Sequence, residues 1–199
     1  MKFWKLASVA IVLVLTTSAN AALIDNGTYT TDTVSGLDWM DLTETTGLSY
    51  NYVFSQLESE GQFDGWRYAT SEDVINLINN TGGAGPYNGF STLNIGVVEP
   101  LLDLWGYTYA TNRALAMTRD PQEFGPYEFY NSVFYLYPGT ENSGDFIDLT
   151  WGARVPDVGS PAHGSALIRT ASPVPAPAAV WLFGSGLIGL VGFAKRKKA

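Results

Sequence analysis

The sequence predicts an α+β domain over residues 22–172, with helices gathered in its first half and antiparallel strands in its second. Three observations predict it. Apolar residues fall at helical spacing in three stretches, all of them before Gly106. From Arg113 onward, runs rich in Tyr, Phe, Val and Thr alternate with Gly and Pro breaks. No internal repeat of about 20–50 residues is present, which excludes a solenoid or propeller. A segment of about 150 residues is ordinary for one domain and long enough to bury a real core. The chain has no Cys, so that core holds by packing without disulfides.

The elements follow in order. Residues 1–21 have the pattern of a removable export signal: Lys2 and Lys5, then the apolar run Leu6 to Leu15, too short to span a bilayer. Ala19-Asn20-Ala21 fits the small-x-small cleavage rule, with cutting after Ala21. The implied partners are the Sec translocon and signal peptidase. Thr28 to Thr33 and Gly36 to Met40 read as short strands. Ser49 caps a helix carrying Tyr50, Val53, Phe54 and Leu57, expected to run to about Glu60 and to stop at Gly61. Thr70 with Asp73 forms a capping-box pattern before a second helix, whose stripe is Val74, Leu77 and Ile78. A third helix spans Val97 to Trp105, burying Val98, Leu101, Leu102 and Trp105, with Pro100 in its first turn.

Strands are then expected at Arg113 to Thr118, Phe129 to Tyr137, Asp145 to Leu149 and Ser165 to Thr170. Pro121, Gly125-Pro126, Pro138-Gly139 and Gly159 to Pro161 punctuate them. Alternation along Phe129 to Tyr137 leaves both faces largely apolar, which predicts a central strand buried on two sides. The last segment begins with the stiff run Pro173-Val174-Pro175-Ala176-Pro177. Ala178 to Ala194 then carries no charge; as a helix these residues measure roughly 25 Å, enough for a thin bilayer. Lys195, Arg196, Lys197 and Lys198 follow as a basic stop expected to stay cytoplasmic, leaving the acidic domain outside.

Charge separates the ends from the middle. All five lysines lie in the two ends. Residues 22–173 hold five arginines against all 19 acids, a formal charge of −14. Such a surface repels nucleic acid, so no nucleic-acid partner is expected. Acidity also serves simply to keep an exported domain soluble.

The tail, from Val174-Pro175-Ala176-Pro177 through the Gly-rich apolar run to Lys195-Arg196-Lys197-Lys198, resembles the PEP-CTERM sorting signal. That resemblance implies recognition by an exosortase, a membrane enzyme that cuts near the proline motif, in a host that secretes exopolysaccharide. Ala176 stands where the family usually has Glu, so a permanent inner-membrane tether is the alternative to processing. Gly36-Leu37-Asp38-Trp39, Gly65-Trp66-Arg67 and the closing Ala166-Leu167-Ile168-Arg169 are similar in order to the Lcl C-terminal-like domain. That resemblance implies a fold related to C-type lectins and a role in adhesion or glycan binding.

Candidate functional residues are few. Trp66 reads as a core residue and Arg67 as a structural ion pair, with a ligand role as the alternative; Arg169 is expected to pair with an acid of the first strands. Calcium, which takes clustered oxygens, has candidates in Asp38 with Asp41 and Asp145 with Asp148, although neither pair fits an EF-hand loop. Alternating carboxylates on a wet strand face explain these pairs equally well. The single histidine, His163, lies in a Gly- and Ser-rich loop, and the exported segment has no Gly-x-Ser-x-Gly elbow, so no catalytic role is expected. Phe124, Tyr127, Phe129, Tyr130, Phe134, Tyr135 and Tyr137 crowd one stretch, either as core or as a surface that stacks on sugar rings. The reading is an exported envelope or matrix protein without enzymatic activity or obligatory cofactor, serving structure, adhesion or glycan binding. The alternatives are a carboxylate-dependent glycan hydrolase and a calcium-binding module.

Overall fold

The computed structural model describes residues 23–172 except 121, 125, 126, 130, 131 and 153, and in them the first Thr- and Tyr-rich runs form a meander. β1 (Leu23–Asp25), β2 (Tyr29–Asp32) and β3 (Leu37–Met40) pair antiparallel in turn, with Leu23 opposite Asp32 and Tyr29 opposite Met40. Asp32 shapes the second turn: its carboxylate accepts the Val34 N–H and the Ser35 hydroxyl. The export signal at 1–21, the proline motif and span at 173–194, and the basic end lie outside the described residues. Among the described residues, no helix is long and apolar enough to cross a membrane. The chain divides into two units, Met1–Arg169 and Thr170–Ala199; only Thr170, Ala171 and Ser172 of the second are described.

The three helices form where local sequence directs them. α1 (Tyr50–Ser55) is capped by Ser49, whose hydroxyl accepts the Tyr52 N–H at 3.2 Å. It stops well short of Glu60. The chain folds back on itself there: the Gln56 carbonyl accepts the Phe63 N–H, and Gly61 packs so closely on Gln56 that a Cβ would lie 2.3 Å from its oxygen. Glu60 itself takes a left-handed conformation at φ 70°. α2 (Ser71–Asn80) carries the full capping box of Thr70 and Asp73 and buries Val74, Leu77 and Ile78. α3 (Val98–Trp105) has Pro100 in its first turn and buries Val98, Leu101, Leu102 and Trp105.

The remaining strands are β4 (Arg67–Tyr68), β5 (Asn88–Ser91), β6 (Ala114–Thr118), β7 (Gln122–Phe124), β8 (Tyr127–Phe129), β9 (Ser132–Thr140), β10 (Gly144–Gly152), β11 (Gly164–Ser165) and β12 (Leu167–Thr170). One five-stranded sheet has the order β1-β2-β3-β12-β4, a second the order β11-β6-β9-β10-β5, and β7 with β8 makes a separate hairpin. The class is α+β, but its strands are not confined to the second half, since β1 to β5 all precede α3. Nor are they uniformly antiparallel: β11 pairs parallel with β6.

Two expected strands are broken. Phe129 to Tyr137 divides between β8 and β9. Ser165 to Thr170 divides at Ala166, because its N–H donates to Met117 of the second sheet while its carbonyl accepts the Ala69 N–H beside the first. One extended run therefore stitches the two sheets together. β9 is the middle strand of its sheet, as its two apolar faces require. Phe134 and Leu136 face a core shared with α2, α3 and Trp39; Val133 and Tyr135 face a second core shared with Tyr50, Val53, Phe63 and Tyr68. The side chains of Phe124, Tyr127, Phe129 and Tyr130 lie outside what is described.

Candidate functional site

The β9 face that carries Val133 and Tyr135 is only partly covered, and an aromatic strip runs across its open part. Phe146 of β10 is opposite Tyr137 of β9 and Phe90 of β5, so pairing alone brings these three rings together. Phe90 and Phe146 meet edge to face at 5.0 Å, and Tyr135 and Phe146 lie 5.4 Å apart. Trp151 joins them through a bulge. Between Asp148, opposite Tyr135, and Gly152, opposite Val133, β10 carries two more residues than β9. Asp148 fastens the bulge by accepting the Thr150 N–H and hydroxyl. Trp151 then packs against Tyr135 at 5.0 Å and Phe146 at 5.8 Å, yet stays 52% exposed; Phe90 is 51% exposed.

Beside the strip is a recess of about 520 Å³ lined by Tyr109, Arg113, Tyr135, Trp151, Arg154 and His163, with Leu115 and Val133 in its apolar wall. That size falls within the usual range for a small-molecule site, about 300–1,000 Å³. Tyr109 and Arg113 are held together by an isolated bridge just before β6. The Arg113 guanidinium lies 4.4 Å from the centre of the Tyr137 ring, and its Nη1 donates to Tyr135 Oη at 2.8 Å. Its Nε is buried without a hydrogen-bond partner among the described residues. His163 Nδ1 sits 3.0 Å from Ser160 Oγ. Burial, and then the nearby Arg154 charge, pull His163 down to about 4, so the ring is neutral at pH 7 and a weak base. Among the described residues no carboxylate lines the recess to orient it as a general base.

The other candidate residues occupy different places. Arg67 makes its ion pair, reaching both Asp73 oxygens at 2.9 and 3.2 Å. Trp66 is half-buried, packed against the second core; its ring meets that of Tyr29 edge to face at 6.2 Å, and the Arg169 guanidinium lies over both, 4.3 and 4.7 Å from the Trp66 and Tyr29 centres. Arg169 Nε donates to Asp38 Oδ2 at 3.0 Å, the expected bridge to the first strands. Asp38 Oδ1 takes the Thr31 hydroxyl at 2.6 Å. Asp41 is buried with Oδ1 unpartnered, and burial, with Asp25 and Glu44 nearby, raises its pKa to about 6. Asp145 accepts three backbone N–H groups, from Val97, Val98 and Gly139. Asp148 belongs to the bulge, so Asp145 and Asp148 serve separate backbone roles on one strand. No group of three or more His, Asp or Glu that could hold a metal is found among the described residues.

The recess draws on side chains from residue 109 to residue 163, so no single segment of the sequence announces it. Of its lining residues, only Tyr135 and His163 stand out in the sequence by themselves. A further signal is the pair Trp151 and Arg154, just past an expected strand end.

Comparison with known proteins identifies the tail. Residues 173–197 match the PEP-CTERM protein-sorting motif, which marks an exported chain, transiently anchored in a membrane and processed by an exosortase. No curated protein and no solved structure matches the chain.

Proposed function

We propose that this exosortase-sorted chain displays a non-catalytic glycan-binding module at the cell surface or in the extracellular matrix, where it contributes to adhesion or to an exopolysaccharide biofilm. The carrying observation is the strip from Phe90 through Phe146 and Tyr135 to Trp151, half-exposed at both ends and continuous with a roomy recess. Flat aromatic faces offer large apolar area at low conformational cost, and sugar rings present apolar C–H faces that stack on them. The resemblance of Gly36-Leu37-Asp38-Trp39 and Gly65-Trp66-Arg67 to the Lcl C-terminal-like domain supports a C-type-lectin-like reading of the fold. Residues 1–21 as the export signal, and 178–194 as the span before Lys195–Lys198, complete the route to the surface.

A glycan array probed with the full chain in neutral detergent tests the reading. Retention of at least one glycan class is expected, with Trp151→Ala weakening it about tenfold or more, since stacked aromatics carry about 1–3 kcal/mol each. The urea midpoint should fall only modestly, because half of the Trp151 surface is already in water and only its contacts with Tyr135 and Phe146 are lost. An array without hits, or hits indifferent to Trp151→Ala, refutes the assignment.

A further inference from the structure

We infer that the recess takes an acidic sugar, a glycan unit whose ring bears a carboxylate, with Arg113 and Arg154 receiving the charge and Trp151, Tyr135 and Tyr109 framing the ring. The inference rests on the glycan-binding reading and names its substrate class.

It starts from where the arginines are spent. Residues 22–173 hold five arginines among 19 acids, so a guanidinium has carboxylates in excess to pair with. Arg67 is paired with Asp73 and Arg169 with Asp38, while Arg119 makes no ion pair among the described residues and does not line the recess. Arg113 and Arg154 both line the recess, and among the described residues no carboxylate lines it with them. Neither makes an ion pair among the described residues. Arg113 is also held in place before any ligand arrives: its guanidinium carbon lies over the Tyr137 ring, 4.4 Å from the centre, and Nη1 donates to Tyr135 Oη. A planar guanidinium fixed in this way is shaped to receive a carboxylate through two parallel hydrogen bonds. The aromatic and aliphatic walls lower the polarity beside it and strengthen that attraction. Elsewhere the acidic surface repels an anionic chain, so the recess is the favoured point of contact.

A neutral sugar would gain the stacking and lose the charge-assisted bonds. An acidic sugar gains both. Calorimetric titration of the full chain in neutral detergent, with a glucuronate tetramer and a glucose tetramer of the same linkage, separates the possibilities. The uronate is expected to bind about tenfold or more tightly than the neutral tetramer. Arg113→Gln and Arg154→Gln are each expected to shrink the ratio of uronate to neutral affinity severalfold, and the double variant to bring that ratio close to one. Arg154 lies in the loop after β10, so its variant keeps the test alive should Arg113→Gln fold poorly. Equal binding of the two tetramers overturns the charge inference and leaves the glycan reading standing. Absence of binding by either overturns both. Preferential uronate binding that survives undiminished in both variants places the acid elsewhere and also overturns the inference.

Discussion

Replacing Asp145 by Ala should cost the domain about 3–5 kcal/mol, a large share of the ordinary 5–15 kcal/mol. The figure comes from its three acceptor bonds. Asp145 Oδ2 takes the N–H groups of Val97 and Val98, both at 2.9 Å, where α3 begins; Oδ1 takes the Gly139 N–H at 3.0 Å. Val97 keeps a weaker bond to the Asn94 carbonyl at 3.3 Å. Val98 is fully buried and loses its partner outright, which costs about 1–3 kcal/mol. Gly139 is half-buried, so water softens its loss to about 1 kcal/mol. Removing a negative group from the start of α3 adds about 0.3–1 kcal/mol, and the small cavity adds about 1 kcal/mol. Asp145→Asn keeps one acceptor and should cost about half as much. Urea unfolding of the full chain in detergent, followed by the fluorescence of buried Trp39 and Trp105, measures both variants. A loss below about 1 kcal/mol for Asp145→Ala would refute the bond accounting. So would a wild-type midpoint that falls on calcium chelation by an amount the variant lacks, because Asp145 would then be holding an ion.

Three further outcomes are expected. Arg169→Ala strands the buried Asp38 carboxylate and should cost about 3 kcal/mol in the same assay; Arg169→Lys should recover only part, since an ammonium cannot replace the planar guanidinium packed over the Tyr29 and Trp66 rings. Asp41 binds protons more tightly folded, at about 6, than its ordinary 3.8, so its own contribution to stability should fall by about 1–2 kcal/mol as the pH rises through this window after solvent screening, a fall that His163 offsets in the unaltered chain. Asp41→Asn should abolish that fall and expose the opposite trend of His163, whose folded value of about 4 against 6.5 makes stability rise with pH over that interval. Intact mass of the surface form should exclude Lys195–Lys198; a mass that includes them would mean that Ala176 leaves the chain tethered.

What was legible in the sequence was local or doubly constrained. The caps at Ser49 and Thr70 are satisfied within three residues of chain, so their partners stand beside them in the sequence. The middle position of β9 follows from apolar residues on both parities, and Arg169 had acids to meet wherever the first strands lay. The end of α1 depends on Phe63 returning to Gln56, a contact that helical periodicity does not encode. The division of Ser165 to Thr170 depends on Met117 and Ala69, each far away in sequence. The recess was hidden for the same reason: the β10 bulge, not the two-residue alternation, turns Trp151 toward Tyr135.

β12 lies between β3 and β4, although it is made about a hundred residues after β4 and later still after β3. Until it is made, the slot between β3 and β4 cannot close, and the edges of those strands that face it lack their hydrogen-bond partners. Leu167–Thr170 fill it, and Pro173, the first residue of the sorting motif, follows after only Ala171 and Ser172. A chain interrupted before this point keeps an open sheet and also lacks its address. Completion of the fold and acquisition of the sorting tag thus coincide in time, so a prematurely ended product cannot present a finished domain to the exosortase.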